Sequence, residues 1–258
     1  MDVNKYFKLV FQGDIEKAIN YKNKKLPNTL YKYYSITDND ELNNSKINCL
    51  KNKSVYLSSL EEFNDPFEGM FFKTNENDVD FKMIKVFQNS FKKLFKYTSF
   101  TNTNQNNMPM WAYYSNNHNG FCVEYSSINE EIKNCIFPIF YTNERKDGNI
   151  IYKNILNLCS RVSKGKSVSS IDYDKNMQLL FMSMFVKHKS WQHEKEYRLF
   201  GFDQHFNIEP CKIYIGNKCN KTYEDKIIKT AKFLNIDIYK MKFNDTSSDY
   251  IFDSIRIN

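Results

Sequence analysis

The 258-residue chain lacks most of the patterns by which a sequence declares its class. Its six cysteines, at positions 49, 122, 135, 159, 211 and 219, include no C-x-x-C pair, and no histidine lies between the closest two, Cys211 and Cys219. That excludes the usual zinc spacings, and the length of the chain argues against a small disulfide-stapled scaffold. There is no run of about 18 apolar residues to span a membrane, and the opening MDVNKYFKLVFQGD has no apolar signal-peptide core. The expectation is a soluble cytoplasmic protein with reduced, mostly buried thiols, no metal and no membrane partner. No Gly-rich phosphate loop appears, and strands and helices mix without regular βαβ alternation, which argues against a doubly wound nucleotide fold. No repeat and no Gly/Ser or Pro linker divides the chain.

Aromatic residues, by contrast, are abundant, at 16% with 22 Phe and 18 Tyr, within an apolar fraction of 41%. A chain of this size and composition buries a substantial core. Lys and Arg outnumber Asp and Glu by 37 to 30, a net charge of +7. The excess suits an anionic partner, a nucleotide or a nucleic acid; a lysine-rich solubilising surface accounts for it equally well.

Hydrophobic spacing predicts a single α+β domain of small mixed or antiparallel sheets flanked by helices. Residues 1–28 read as an N-terminal helical extension, 29–243 as the core and 244–258 as a C-terminal tail. Strands are expected over 29–36, 53–59, 96–101, 120–125, 135–142 (broken by Pro138, hence an edge), 194–202, 211–216 and 237–243. Helices are expected within 38–50 and over 81–95, 149–162, 173–187 and about 222–235. Thr222 with Asp225 marks the last helix start. The stripe Phe81, Ile84, Phe87, Phe91, Leu94 and Phe95 is read as a core face.

Three polar-aromatic clusters interrupt this pattern and are expected to converge on one cleft. In FNDPFEG (63–69), Asp65 before Pro66 marks a tight turn pinned by its two phenylalanines, with Asn64 and Asp65 bonding the turn or a ligand. In MPMWAYYSNNHNGFCVEY (108–125), Trp111 and Tyr113 are core residues or flat platforms for a planar base; His118 alone carries little weight. In KHKSWQHEKEYRLF (187–200), an extended chain puts Glu194, Glu196 and Arg198 on one face and Lys195, Tyr197 and Leu199 on the other. Those charges, with Lys187 beside them, are read as the mouth of a cleft at the end of a central strand, where Glu196 would contribute little to folding. A cross-strand salt-bridge ladder is the competing reading.

These clusters, with LYKYYS (30–35) and the late IYIG, resemble the bacterial and phage-associated family called domain of unknown function 2971, over about residues 30–243. A second resemblance is to ADP-ribosyltransferase folds, which split an NAD-binding cleft between two small sheets and carry a basic or aromatic residue, a Ser or Tyr, and a Glu on successive strands. It implies Tyr31 and Lys32, then Ser99 or Tyr113, then Glu194 and Glu196, although the first motif has neither the usual Arg nor His. The chain would then be an NAD- or nucleotide-processing enzyme, a transferase or glycohydrolase serving as a toxin or phage-defence effector. Glu196 would face the developing cation, with Glu194 its partner; aromatic rings would hold the nicotinamide and Lys32 or Lys187 the pyrophosphate. NAD is the expected substrate. Two alternatives stand beside it: a nuclease with Mg²⁺ or Mn²⁺ on Asp65, Glu68, Glu194 and Glu196, and a non-catalytic nucleotide- or RNA-binding module.

Overall fold

The computed structural model describes residues 2–77, 80–126, 128–165 and 178–257. Two helices open the chain, α1 (Val3–Gln12) and α2 (Ile15–Lys25), followed by β1 (Leu30–Ser35), α3 (Asp40–Lys51), β2 (Ser54–Tyr56), β3 (Phe72–Lys73), α4 (Phe81–Leu94) and β4 (Lys96–Thr101). The middle of the chain supplies α5 (Met108–Tyr114), β5 (Gly120–Tyr125), α6 (Glu130–Cys135), β6 (Ile136–Pro138), β7 (Phe140–Thr142), β8 (Lys146–Asp147) and α7 (Asn149–Ser163). After a helical stretch over 178–183 come β9 (Val186–His188), a 3-10 turn Lys189–Glu194, β10 (Glu196–Gly201), β11 (His205–Asn207), β12 (Lys212–Ile215), the helix Lys221–Leu234, β13 (Asp237–Phe243) and β14 (Phe252–Arg256).

The fold is α+β, organised by one eight-stranded mixed sheet in the order β14-β13-β12-β5-β1-β4-β10-β6, with three two-stranded sheets around it. Within the large sheet only β12 and β13 run parallel. The sheet is larger than the sequence suggests, because β13 gains an antiparallel partner in β14, inside the stretch read as a tail. Phe252 of that strand is buried against Trp111, Tyr33 and Tyr214. β1 and β4 are in register at one pair, Tyr31↔Thr101, whereas β1 and β5 pair along their whole length. The sheet therefore splays between β1 and β4.

Three apolar clusters hold this frame. Tyr197 and Leu199 of β10 join Phe121, Val123, Ile213 and the helix Lys221–Leu234 in the first. The second gathers α1, α4 and α7 around Phe137 and Phe185, so the N-terminal helices are built into the core. Ile84 and Phe91 of α4 are buried there, while Leu94, counted in the same stripe, is exposed.

Several local expectations shift. The predicted strand 135–142 divides at Ile139 into β6, at the edge of the large sheet, and β7, which pairs in parallel with β9. The predicted helix 173–187 ends early, since Val186–His188 is strand; its first residues, 173–177, lie outside the described residues. The last helix is capped by Asn220, whose Oδ1 accepts from the Thr222 amide at 2.9 Å, and not by Thr222. All six cysteines are unpaired thiols, and among the described residues no helix is long and apolar enough to cross a membrane.

Candidate active site

The strand at the heart of the site begins at Glu196, two residues later than the alternation implies. Glu194 closes the preceding 3-10 turn, and Lys195 takes a left-handed backbone (φ 45°). Extended geometry is therefore not what brings the two glutamates together. Their shared partner does: Lys187 on β9 places Nζ 2.8 Å from Glu194 Oε2, 3.3 Å from Glu196 Oε2 and 3.9 Å from Glu68 Oε1.

Arg198 completes the network. Its Nε donates to Glu196 Oε1 (2.9 Å), Nη1 to Glu68 Oε2 (2.9 Å) and to the Met184 carbonyl (2.8 Å), and Nη2 to Glu68 Oε1 (3.0 Å). Nη2 also lies 2.8 Å from Glu196 Oε1. Four hydrogen bonds and this further ion-pair contact hold the guanidinium, and the Phe63 ring centre lies 4.8 Å from its carbon. Arg198 is fully buried and Glu196 is 4% exposed. The charges belong to the floor of the site and not to its mouth, because a buried carboxylate needs partners that only the interior supplies.

Electrostatics follow from this packing. Burial alone would raise the Glu196 carboxyl, but Arg198, Lys187 and the Ser99 hydroxyl (2.5 Å to Oε1) together bring it down to about 2. Burial, only partly offset by Arg198, holds Glu68 above its ordinary value. Burial would lower Lys187, yet Glu196, Glu194 and Glu68 reverse that and raise it. Glu194 Oε1 accepts from the Tyr114 hydroxyl, and the Glu196 amide donates to Tyr141 Oη at 2.9 Å.

Above the network opens a cleft of about 650 Å³ between the splayed strands, lined among others by Tyr31, Lys32, Asn64, Ser99, Tyr114, Lys187, Glu194 and Glu196. Lys32 bridges the gap, its Nζ lying 2.8 Å from Thr98 Oγ1 and 3.3 Å from the Ser99 carbonyl. Burial pushes its pKa down to about 8. Burial, then Glu124, pushes Tyr31 up to about 12.

The three clusters meet at this cleft, though not through every residue expected. Trp111 is fully buried, donates Nε1–H to the Gln105 carbonyl (2.7 Å), stacks on His118 and does not line the cleft. Tyr113 is 73% exposed on the far side of the same short helix. The helix reaches the cleft through Met110 and Tyr114 instead. Asp65 turns back to accept from the Phe67 amide (2.9 Å), and Phe67, expected to pin the loop, is exposed. The turn serves to aim Glu68 at Arg198. Ser99, which the resemblance implies, lines the site, and Tyr114, Tyr141 and Lys46 belong to it or its lining with little sequence signal of their own. Among the described residues no group of three or more His, Cys, Asp or Glu is placed to hold a metal ion. Asp65 stands apart, and Arg198 and Lys187 occupy the space between the glutamates.

Residues 110–199 match the family model described as Protein of unknown function (DUF2971). The match covers less than half of the chain, a shorter span than the sequence resemblance suggests. No curated protein and no solved structure matches, so the ADP-ribosyltransferase resemblance has no structural relative behind it. The matched segment runs from α5 into β10 and carries Tyr114, Tyr141, Lys187, Glu194, Glu196 and Arg198. Tyr31, Lys32 and Asn64 of the cleft lining lie outside it, as do Ser99, which bonds Glu196 from the neighbouring strand, and Glu68.

Proposed function

We propose that the cleft binds a nucleotide-type ligand, NAD first among them, and cleaves its nicotinamide–ribose bond. The observation that carries this reading is Glu196: an ionised carboxylate lining a cleft of ligand size, whose Oε2 has one long contact, 3.3 Å to Lys187. That oxygen keeps acceptor capacity for a ribose hydroxyl. Its charge faces the space where an oxocarbenium-like centre would develop, which is where a fixed negative charge lowers the barrier. Glu194, tied to Tyr114 and Lys187, sits beside it as the group that orients or deprotonates an acceptor. The splay between β1 and β4, with Lys32, Ser99 and Glu196 around it, gives room for such a ligand within one sheet. A cofactor-draining activity suits a toxin or phage-defence effector.

Incubation of the pure protein with NAD, with and without nucleic acid or protein acceptors, should release nicotinamide, and chelation should leave the rate unchanged. Glu194→Gln, which keeps the shape of the side chain, should lower turnover by about 10²-fold or more. Absence of nicotinamide under every acceptor condition would overturn the reading. Chelator-sensitive cleavage of nucleic acid would replace it with the nuclease alternative.

A further inference from the structure

Two cations line the cleft on the wall opposite Glu196, and both are unlike Lys187. Lys187 is held by three carboxylates and has no charge to offer a ligand. Lys32 is bonded to Thr98 Oγ1 and the Ser99 carbonyl, and Lys46 to the Ser35 carbonyl (2.7 Å) and Ser35 Oγ (3.1 Å). Among the described residues each ammonium thus meets only neutral oxygens. An ammonium carries three donors, so each lysine keeps one N–H unspent beside the same open space. Tyr97 also lines that space, and its hydroxyl is buried without a hydrogen-bond partner. Glu196 partly offsets the cost of keeping Lys32 charged, but among the described residues no carboxylate is bonded to either ammonium, so an anion entering the cavity would be stabilised by both.

We infer that Lys32 and Lys46 form a phosphate subsite, and that the ligand of this cleft is a phosphorylated nucleoside, with its diphosphate on the β1–α3 wall. This deepens the nucleotide reading of the same cleft and rests on it. It also moves the expected anion contact away from Lys187, whose charge is consumed within the protein. Tyr34, under the Lys32 ammonium at 5.3 Å from its ring centre, and Tyr56 at the rim add aromatic surface beside the subsite. The protonation of Lys32 is set by burial, by Glu196 from β10, and by Lys46 and Cys49 from α3. Since burial brings Lys32 to about 8 and a bound phosphate favours its charged form, affinity should decline as pH rises above 8.

Calorimetric titration with ADP, AMP, adenosine and inorganic pyrophosphate tests this on the full chain. ADP should bind about tenfold or more tightly than adenosine, and Lys46→Gln should weaken ADP by about ten- to a hundredfold while leaving adenosine unchanged. Lys46 is the primary variant because its side chain supports less of the interior; its melting temperature is recorded alongside, and Lys32→Gln is the second variant. Lys218→Gln, an exposed position, should leave ADP binding intact. Equal binding of ADP and adenosine would overturn the subsite. So would an unaffected Lys46→Gln protein, an equal loss in Lys218→Gln, or no binding of any phosphate compound. ADP binding that depends on Lys46 without nicotinamide release would keep the subsite and sink the glycosidic reading alone.

Discussion

Arg198 and Glu68 meet through both prongs of the guanidinium, at 2.9 and 3.0 Å, across 130 residues of chain. Neither side chain is in contact with bulk water, so the pair links the NDPF turn to the central sheet in a place where each charge depends on the other. Glu68→Ala should destabilise the protein by about 3–5 kcal/mol, because it leaves a buried guanidinium short of a partner. The double variant Glu68→Met with Arg198→Met should lose less than either single change. Urea midpoints across this cycle check the expectation; additive losses would contradict it.

Glu196→Gln should affect folding as well as turnover, contrary to what a residue at a cleft mouth would do. With its folded pKa at about 2, below the ordinary 4.5, the carboxylate contributes stability that is fully present above 4.5 and is lost as pH falls toward 2. The difference in unfolding free energy between wild type and Glu196→Gln should therefore be constant above pH 5 and shrink below 4.5. A constant difference down to pH 3 would show that the network does not hold Glu196 ionised.

Lys22 is buried with Nζ donating to the carbonyls of Lys133 and Ile136 at the end of α6. Burial lowers its pKa to about 7 from 10.5, and a neutral amine keeps the two N–H groups that these two carbonyls require. Between those values the unfolded chain binds more protons than the folded one, so stability should rise with pH through this window. Lys22→Met should remove that rise. Parallel pH slopes for the two proteins between 7 and 9 would rule it out.

Lys195 separates the two site glutamates with a left-handed backbone, φ 45°. Lys195→Gly should be tolerated or mildly stabilising, since glycine adopts this conformation without strain. Lys195→Val should cost about 1–2 kcal/mol and reduce turnover by moving Glu194 off Lys187. Equal melting temperatures for the two variants would remove the argument.

The clusters themselves were legible because polar residues interrupting apolar strands stand out in any sequence. Asn64, Glu194 and Glu196 stand out by that contrast, Tyr31 and Lys32 only through the resemblance, and all five line one cleft. Period-two spacing does not extend through a 3-10 turn, so it mislocated the start of β10 while pairing the right glutamates. The partner of Arg198 was beyond reach: Glu68 was noticed only as a possible metal ligand, and nothing local ties positions so distant. Trp111 was ambiguous for a physical reason, since a large ring with one donor serves equally as a platform or as core, and the Gln105 carbonyl decides it. Lys46 was one among many lysines until α3 placed it against β1. Gly216 of the IYIG motif also gains its reason only in three dimensions: a Cβ there would lie 2.2 Å from the His118 carbonyl oxygen.

The single rung between β1 and β4 also divides the sheet mechanically. Five strands, from β14 to β1, lie on one side of that seam and three, β4, β10 and β6, on the other. Backbone amides within each block are protected by continuous ladders, and those facing the seam are not. Opening of the two blocks should therefore register as separate cooperative units in amide exchange. The walls of the cleft are carried by different blocks, tied across the seam by the Lys32 ammonium, by the edge-on contact of Phe100 with Tyr125 and by the core that both blocks share, so relative motion of the walls is coupled to that packing.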